Sequence, residues 1–356
     1  MFKRITAIVV CLTMLLALTA CGGGGSSTPT DDGGDAAATD EKVTMKYASY
    51  LPPGNPNEEY VVNPLIDELK AANIEVEYYG GGTLLAGDQI LDGVLEGTTD
   101  IGLIAVSYFV GRFPISFLFD YPVAFKSAEA ASRTMKEAVD ELKPAELDDL
   151  HVLFPFCSGP GAWMSTKQVK GPDDVKGLQV RANAVQSELV TALGGSPATI
   201  PIGETYDALR SGIVNAHLGL QDAGASLKLY EVAKYNTIYP YSNIGFFVVM
   251  NKDKYAALSD NQKKIVDEAA TKVFETSAAS YQGKTGFLTI DAIESVGGEN
   301  LIMEDAQVEA MAKIVEPLRD AYAKKIDGEG HKGTEAVELI LKLAEENNKK
   351  YPENKR

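Results

Sequence analysis

Apolar and polar residues alternate along residues 43–50, as expected for a β-strand with one buried face. Helical spacing of apolar residues follows over 58–72, and residues 74–79 and 99–104 again have the strand pattern, with a predicted helix at 88–96 between them. Strands that alternate with helices favour parallel β-α-β units. The beginning of the chain therefore predicts an α/β fold.

The alternation of strands and helices continues through the rest of the chain. Ser127 stands where it can cap a helix over 128–142, and Ser259 with Gln262 matches a capping box that begins a helix extending toward Ser280. The remaining predicted strands are 151–156, 178–182, 199–202 and 244–250, and the remaining predicted helices are 187–193, 204–211, 304–326 and 335–346. Because residues 244–250 are almost all apolar, we expect that strand to be buried on both faces.

The first residues match a secretion signal. A short basic start, residues 1–4, precedes an apolar run over 5–18 that is too short to span a bilayer comfortably. The run ends in Leu-Thr-Ala before Cys21, which resembles a bacterial lipobox, where the cysteine is acylated and the chain is cut before it. We therefore predict a signal peptide over 1–20, lipidated Cys21 and a flexible Gly- and Asp-rich linker over 21–41. Ordinary secretion with cleavage near Ala20 is the alternative.

Composition excludes one class of partner and limits the chemistry of the cysteines. The chain of 356 residues has 33 Lys and Arg against 50 Asp and Glu, a formal net charge of −17, which argues against a nucleic-acid partner. With 45 % hydrophobic residues it can bury a large core. If Cys11 leaves with the signal peptide and Cys21 is acylated, only Cys157 stays free, so no internal disulfide is expected. Cys157 is predicted to be a small buried apolar residue.

Few residues carry the marks of catalysis. The three histidines, His151, His217 and His331, lie in no metal-binding spacing, and no G-x-S-x-G elbow occurs. Residues 80–82 form a triple glycine but lack both the G-x-G-x-x-G and the GK[ST] patterns. The sequence thus predicts no metal, no cofactor and no enzyme. A secreted α/β enzyme remains an alternative, since catalytic carboxylates need no local motif.

One charged residue lies where α/β proteins bind ligands. In the predicted strand 178–182, Leu178 and Val180 share one face, whereas Arg181 projects from the other near the carboxyl end. Ligands of open α/β sheets gather beyond the carboxyl ends of the strands, and a guanidinium matches a carboxylate. The strand alone leaves two interpretations open: Arg181 binds an incoming carboxylate, or it pairs with an Asp or Glu of the chain itself.

Several ordered motifs favour the first interpretation. Residues 173–181, 193–197, 201–209, 211–215 and 247–251 resemble, in the right order, motifs of the solute-binding proteins of TRAP (tripartite ATP-independent periplasmic) transporters. The resemblance extends from Lys42 to about Gly328. It implies an α/β, two-lobed periplasmic-binding-protein-like fold with hinge strands and a long lobe-spanning helix. In that family the strand arginine binds the ligand carboxylate, and Arg181 takes this role.

The resemblance also implies an organisation and a function. We expect lobe I over 42–156 plus 249–285, lobe II over 157–248 plus 286–330, and a C-terminal helix and tail over 331–356. The protein would be an extracytoplasmic solute-binding lipoprotein that captures a small organic acid anion and delivers it to small and large TRAP membrane subunits. A lipid anchor would hold it at the membrane. The alternative within the same fold is a binding protein of another transporter or a sensor.

Further site residues follow from the resemblance. Asn215 and the pair Leu218-Gly219 replace more polar residues of relatives, which favours an apolar or aromatic carboxylate. Trp163 stands where some relatives have a second arginine and is either a flat wall of the site or core packing. The other predicted ligand contacts are Asn183, Tyr108, Phe246 and Asn55, and the predicted supporting residues are Glu204 and Tyr206.

Overall fold

In the computed structural model, which describes residues 40–354, eleven strands form two mixed sheets. The strands are β1 Val43–Ala48, β2 Ile74–Tyr79, β3 Ile101–Ala105, β4 Leu150–Cys157, β5 Gly161–Ser165, β6 Gln179–Arg181, β7 Ser196–Ala198, β8 Ala216–Gly219, β9 Tyr235–Tyr239, β10 Gly245–Asn251 and β11 Glu299–Leu301. The α-helices are α1 Asn63–Leu69, α2 Ile90–Leu95, α3 Ala128–Leu142, α4 Pro172–Val175, α5 Ala184–Ala192, α6 Thr205–Arg210, α7 Ala223–Ser226, α8 Lys252–Ala256, α9 Asp260–Val273, α10 Tyr281–Ser295, α11 Asp305–Gly328 and α12 Gly333–Lys350.

Each sheet is the centre of one lobe. The first has strand order β2-β1-β3-β10-β4, in which β1 pairs in parallel with β2 and β3, and β10 lies antiparallel between β3 and β4. The second has order β11-β9-β5-β8-β6-β7, with β6 parallel to both β7 and β8. We call the first sheet with its helices the first lobe, and the second sheet with its helices the second lobe.

Two short segments carry the chain between the sheets. Residues 158–160 connect β4 of the first sheet to β5 of the second, and residues 240–244 connect β9 back to β10. Asp120 fixes the start of β10, since its Oδ1 accepts a hydrogen bond of 2.7 Å from the Gly245 amide. Burial raises the pKa of this carboxyl to about 8. These crossings lie where hinge strands were predicted, but the crossing residues themselves are turns and irregular backbone between strands.

A helical segment also extends from one lobe to the other. Helix α9 packs on α1 and β4 of the first lobe, whereas α10 packs on α7, β9 and β11 of the second and also on α3 of the first. A π-helical turn over Phe274–Ala278 follows α9 directly, and only two residues separate it from α10. The predicted two-lobed α/β fold with a lobe-spanning helix is therefore confirmed, with a short interruption in that helix.

Local signals were accurate where side chains cap a helix. The Ser127 hydroxyl accepts a hydrogen bond from the Ala130 amide at 3.0 Å, and α3 has the predicted bounds. Ser259 and Gln262 form the reciprocal capping box, with hydrogen bonds of 3.0 and 3.1 Å.

The predicted strand over 199–202 was wrong, because the strand lies at Ser196–Ala198 and a 3-10 turn occupies Ile202–Glu204.

The expected lobe boundary between residues 248 and 249 falls inside a strand. All of β10 lies in the first sheet, so the crossing is at 240–244. The C-terminal helix α12 packs on α3 of the first lobe and on α11.

The predicted signal peptide, Cys21 and nearly all of the linker lie outside the described residues. Between residues 40 and 354, no helix has the length and apolar composition needed to cross a membrane.

The crossing at 158–160 gives a testable prediction. Gly159 has φ of +67°, and a Cβ there would lie 2.6 Å from the Cα and N atoms of Ala128 at the start of α3. Gly177 is a matched control, because its φ is +75° but no heavy atom lies within 4 Å of its added Cβ. We expect Gly177→Ala to lower the free energy of unfolding by about 1–2 kcal/mol through backbone strain. Gly159→Ala should lower it further, because the α3 backbone must also move.

Denaturant unfolding of both variants measures the difference. Equal losses would contradict the idea that close packing of this crossing on α3 limits residue 159 to glycine.

Candidate functional site

A cavity lies between the two lobes. Both sheets contribute to it at the carboxyl ends of their strands, near β1 and β3 in the first lobe and near β6 and β8 in the second. This is the position at which α/β sheets bind ligands. The lining residues are Tyr50, Leu51, Ala105, Ser107, Tyr108, Ile244 and Phe246 from the first lobe and its crossing, and Arg181, Asn183, Ile202, His217, Gly219 and Leu220 from the second.

Arg181 is the cation of this cavity. It ends β6, and its side chain is only 2 % exposed, on the opposite face of the strand from the core residue Val180. Its Nε donates a hydrogen bond of 2.8 Å to the carbonyl oxygen of Ile200. Its Nη2 is buried and has no hydrogen-bond partner among residues 40–354. The Nε edge of the guanidinium is thus bound to the backbone, whereas Nη2 can still donate a hydrogen bond.

No carboxylate of the described chain forms an ion pair with Arg181. Burial lowers the pKa of its guanidinium, and the groups that oppose this effect are the hydroxyls of Tyr108 and Tyr50. Within residues 40–354, Arg181 therefore does not pair with an Asp or Glu of the chain, which was the second interpretation of the strand. A buried cation without an anionic neighbour is an uncompensated charge that an anionic ligand would neutralise.

Two tyrosines of the first lobe face this guanidinium. Tyr108 lies in a 3-10 turn directly after β3, and its ring meets that of Tyr50 edge to face, with centroids 5.1 Å apart. Burial raises the pKa of both hydroxyls, and the charge of Arg181 opposes that shift. The Tyr108 hydroxyl also interacts with the side chain of Asn183, which precedes α5 and makes no capping hydrogen bond there. Tyr108 and Asn183, both predicted site residues, therefore lie together beside Arg181.

An apolar wall completes the cavity. Phe246 of β10, a predicted contact, is 2 % exposed and stacks on Phe156 with ring centroids 4.9 Å apart. In the sheet it is paired with Ala105 at the end of β3, which also lines the cavity. Other apolar lining residues come from both lobes: Leu51, Ile202, Leu220 and Ile244. Among these lining residues, Arg181 is the one whose charge can pair with an anionic group of a ligand.

The structure does not bring Trp163 into the site. In β5 it is paired with Leu218 of β8, and both side chains belong to the core cluster that also contains Val180. Arg181 and His217 project from the other face of the same sheet, because side chains alternate along a strand. Trp163 is thus core packing, the second of its two sequence interpretations. Leu218 lies on the same core face as Trp163, so of the pair Leu218-Gly219 only Gly219 lines the cavity.

Three other predicted residues lie away from the cavity. The Asn55 side chain accepts a hydrogen bond of 2.9 Å from the Asn57 amide and so stabilises its own turn. Glu204 is exposed, and the Tyr206 hydroxyl donates to Glu231 at 2.8 Å. The residue that supports Arg181 is Ile200, through its backbone oxygen, which no side-chain pattern could reveal.

Sequence reasoning missed three polar lining residues: Tyr50, Ser107 and His217. Tyr50 and Ser107 follow the carboxyl ends of β1 and β3, so the rule that located Arg181 could have found them. His217 lies beside Arg181 in the sheet register, since β6 and β8 pair these two residues. That neighbourhood depends on strand order, which the sequence pattern does not give.

The two lobes and the cavity between them define a solute-binding protein. The sequence model described as "Bacterial extracellular solute-binding protein, family 7" matches residues 47–325. The chain belongs to this family, the solute-binding proteins of TRAP transporters, and the resemblance proposed from its motifs is confirmed. Members of the family act in the periplasm.

Known proteins similar to this chain agree with that assignment. The 2,3-diketo-L-gulonate-binding periplasmic protein YiaO of Escherichia coli is 26 % identical over 74 % of this chain and 74 % of its own length. A TRAP periplasmic solute-binding protein from Desulfovibrio salexigens has 26 % identity and a TM-score of 0.75, covering 85 % of this chain and 96 % of that one. A marine metagenome TRAP solute-binding protein, described as specific for aromatic acid ligands and solved with metahydroxyphenylacetate, has 25 % identity and a TM-score of 0.79, covering 86 % of this chain and 100 % of that one.

Proposed function

We propose that this protein captures a small carboxylic acid with an apolar or aromatic body, and that Arg181 binds its carboxylate. The observation that carries the proposal is the buried Arg181 Nη2, which has no partner among the described residues and belongs to a side chain that lines the cavity. Charge-assisted hydrogen bonds to a carboxylate contribute about 1.5–3 kcal/mol each. One such contact in a buried site is a large part of the affinity for a small solute.

The walls support an apolar body for the ligand. Phe246, Ile244, Ile202 and Leu220 line the cavity with apolar side chains that an apolar body can contact. A sugar acid would present hydroxyls on all sides to these apolar walls, which would leave polar groups without partners. The marine metagenome relative, described as specific for aromatic acid ligands, has the same preference.

The arrangement also indicates how binding changes the protein. Tyr108 and Phe246 come from the first lobe, whereas Arg181 and Asn183 come from the second. A ligand bound to Arg181 therefore contacts both lobes at once and favours the closed over the open arrangement. We propose that the crossings at 158–160 and 240–244 absorb this motion, and that the closed form docks on the small and large TRAP membrane subunits.

The carboxylate assignment is tested by Arg181→Lys, with Arg210→Lys as the matched control. Lysine keeps the charge but loses the planar guanidinium, so affinity for the acids that bind should fall at least tenfold by calorimetry. Arg210 belongs to the same lobe but is exposed and pairs with Asp207, so its replacement should leave the affinity unchanged. Melting temperatures show whether both variants remain folded. Unchanged affinity in folded Arg181→Lys would refute the assignment.

We further propose that the mature protein is a lipoprotein, anchored through Cys21 to the outer face of the membrane. The support is the order of basic start, apolar run, small residues and cysteine at residues 1–21. A diacylated cysteine and a linker of about 20 residues would let the binding lobes reach about 25 Å from the membrane.

The lipid anchor is tested by Cys21→Ser, with Cys157→Ser as the control. We expect Cys21→Ser to move the protein from the membrane fraction to the soluble fraction and to remove the acyl mass from the N-terminal peptide. Cys157 is buried, and burial raises the pKa of its thiol to about 12, so its replacement should leave both readouts unchanged. A soluble wild-type protein without acyl mass would favour ordinary secretion.

A further inference from the structure

The cavity contains more unpaired polar atoms than a carboxylate requires. Besides Nη2 of Arg181, the buried atoms without a hydrogen-bond partner in residues 40–354 include Oγ of Ser107 and both ring nitrogens of His217. All three side chains line the same cavity. Buried polar groups in native proteins are nearly always paired, with protein, water or ligand. The unpaired atoms therefore indicate which hydrogen-bonding groups a ligand of this cavity would carry.

His217 is the most informative of these residues. It is 0 % exposed, lies in β8 and is paired with Arg181 of β6, so the two side chains are neighbours on one face of the sheet. A glycine two residues later makes room for its ring, because a Cβ on Gly219 would lie 2.7 Å from both Cε1 and Nε2 of His217. The imidazole therefore occupies a space beside the guanidinium that the lack of a side chain at Gly219 leaves open.

The position of His217 favours the neutral imidazole. Burial lowers its pKa well below 6.5, the adjacent charge of Arg181 lowers it further, and contact with the Arg181 backbone opposes the shift. A neutral imidazole offers one N–H donor and one nitrogen that only accepts. Ser107 is less selective, because a hydroxyl both donates and accepts and can turn to suit either partner.

We propose that His217 is a specificity-determining residue that selects acids carrying a hydroxyl group in addition to the carboxylate. An ionised carboxylate accepts hydrogen bonds but donates none, so it can satisfy Arg181 and the imidazole N–H but not the accepting nitrogen. No described residue donates to that nitrogen. A ligand hydroxyl supplies the donor, whereas the same acid without it leaves a buried nitrogen unpaired. This inference rests on the proposed binding of a carboxylate at Arg181.

Two pairs of acids that differ by one hydroxyl test the proposal by calorimetry: mandelate against phenylacetate, and 3-hydroxybenzoate against benzoate. The wild-type protein should bind the hydroxylated member of at least one pair about tenfold more tightly. His217→Phe keeps a flat ring but removes both nitrogens, so it should bind both members of that pair equally. His217→Gln, whose amide again donates and accepts, should keep part of the preference.

The possible results separate this proposal from the function on which it rests. If the wild type binds both members of both pairs equally, the role of His217 is overturned and the carboxylate site is left intact. A preference that survives in folded His217→Phe has the same consequence. Arg181→Lys should weaken both members of a pair alike. If none of the four acids binds, both the proposed aromatic-acid site and the role of His217 fail. The comparison of the four acids on the wild-type protein needs no variant. The proposal can therefore be overturned even if a variant does not fold.

Discussion

A guanidinium that is buried without an anionic neighbour is the central constraint of this structure. Removing an ion from water costs several kcal/mol, and a native fold normally offsets that cost with an opposite charge. Arg181 has a backbone carbonyl on one edge and a tyrosine hydroxyl nearby, but no carboxylate among residues 40–354. Within residues 40–354 no carboxylate offsets this cost, and a bound anion would.

The architecture places that charge where both lobes can respond to it. Strands β1, β3, β6 and β8 direct their carboxyl ends toward one cavity, so side chains from two separate sheets meet a single ligand. The strands of each sheet pair within one lobe, and the crossings at 158–160 and 240–244 together with the helical segment α9–α10 connect the two lobes. A ligand that contacts residues of both lobes would favour their closure around it.

Sequence alone predicted the parts of the fold and site that depend on local pattern. The caps at Ser127 and Ser259 need only residues a few positions apart. Strand parity and the carboxyl-end rule located Arg181, but the motif resemblance was needed to favour ligand binding over an internal ion pair. Trp163 and His217 show where such reasoning stops. Which face of a sheet is core, and which residues are neighbours across strands, depends on strand order and register, and these are set by contacts far apart in the chain. The motif resemblance identified the family and three lining residues, Tyr108, Asn183 and Phe246, but it also pointed to Trp163 and Asn55, which do not line the cavity.

The most direct measurement is a crystal structure of the protein with the most tightly bound of the acids. The account predicts a carboxylate oxygen about 2.7–2.9 Å from Nη2 of Arg181, with the body of the acid against Phe246 and residues of both lobes in contact with it. A ligand whose carboxylate lies elsewhere, with the guanidinium paired instead to an Asp or Glu of the chain, would contradict it.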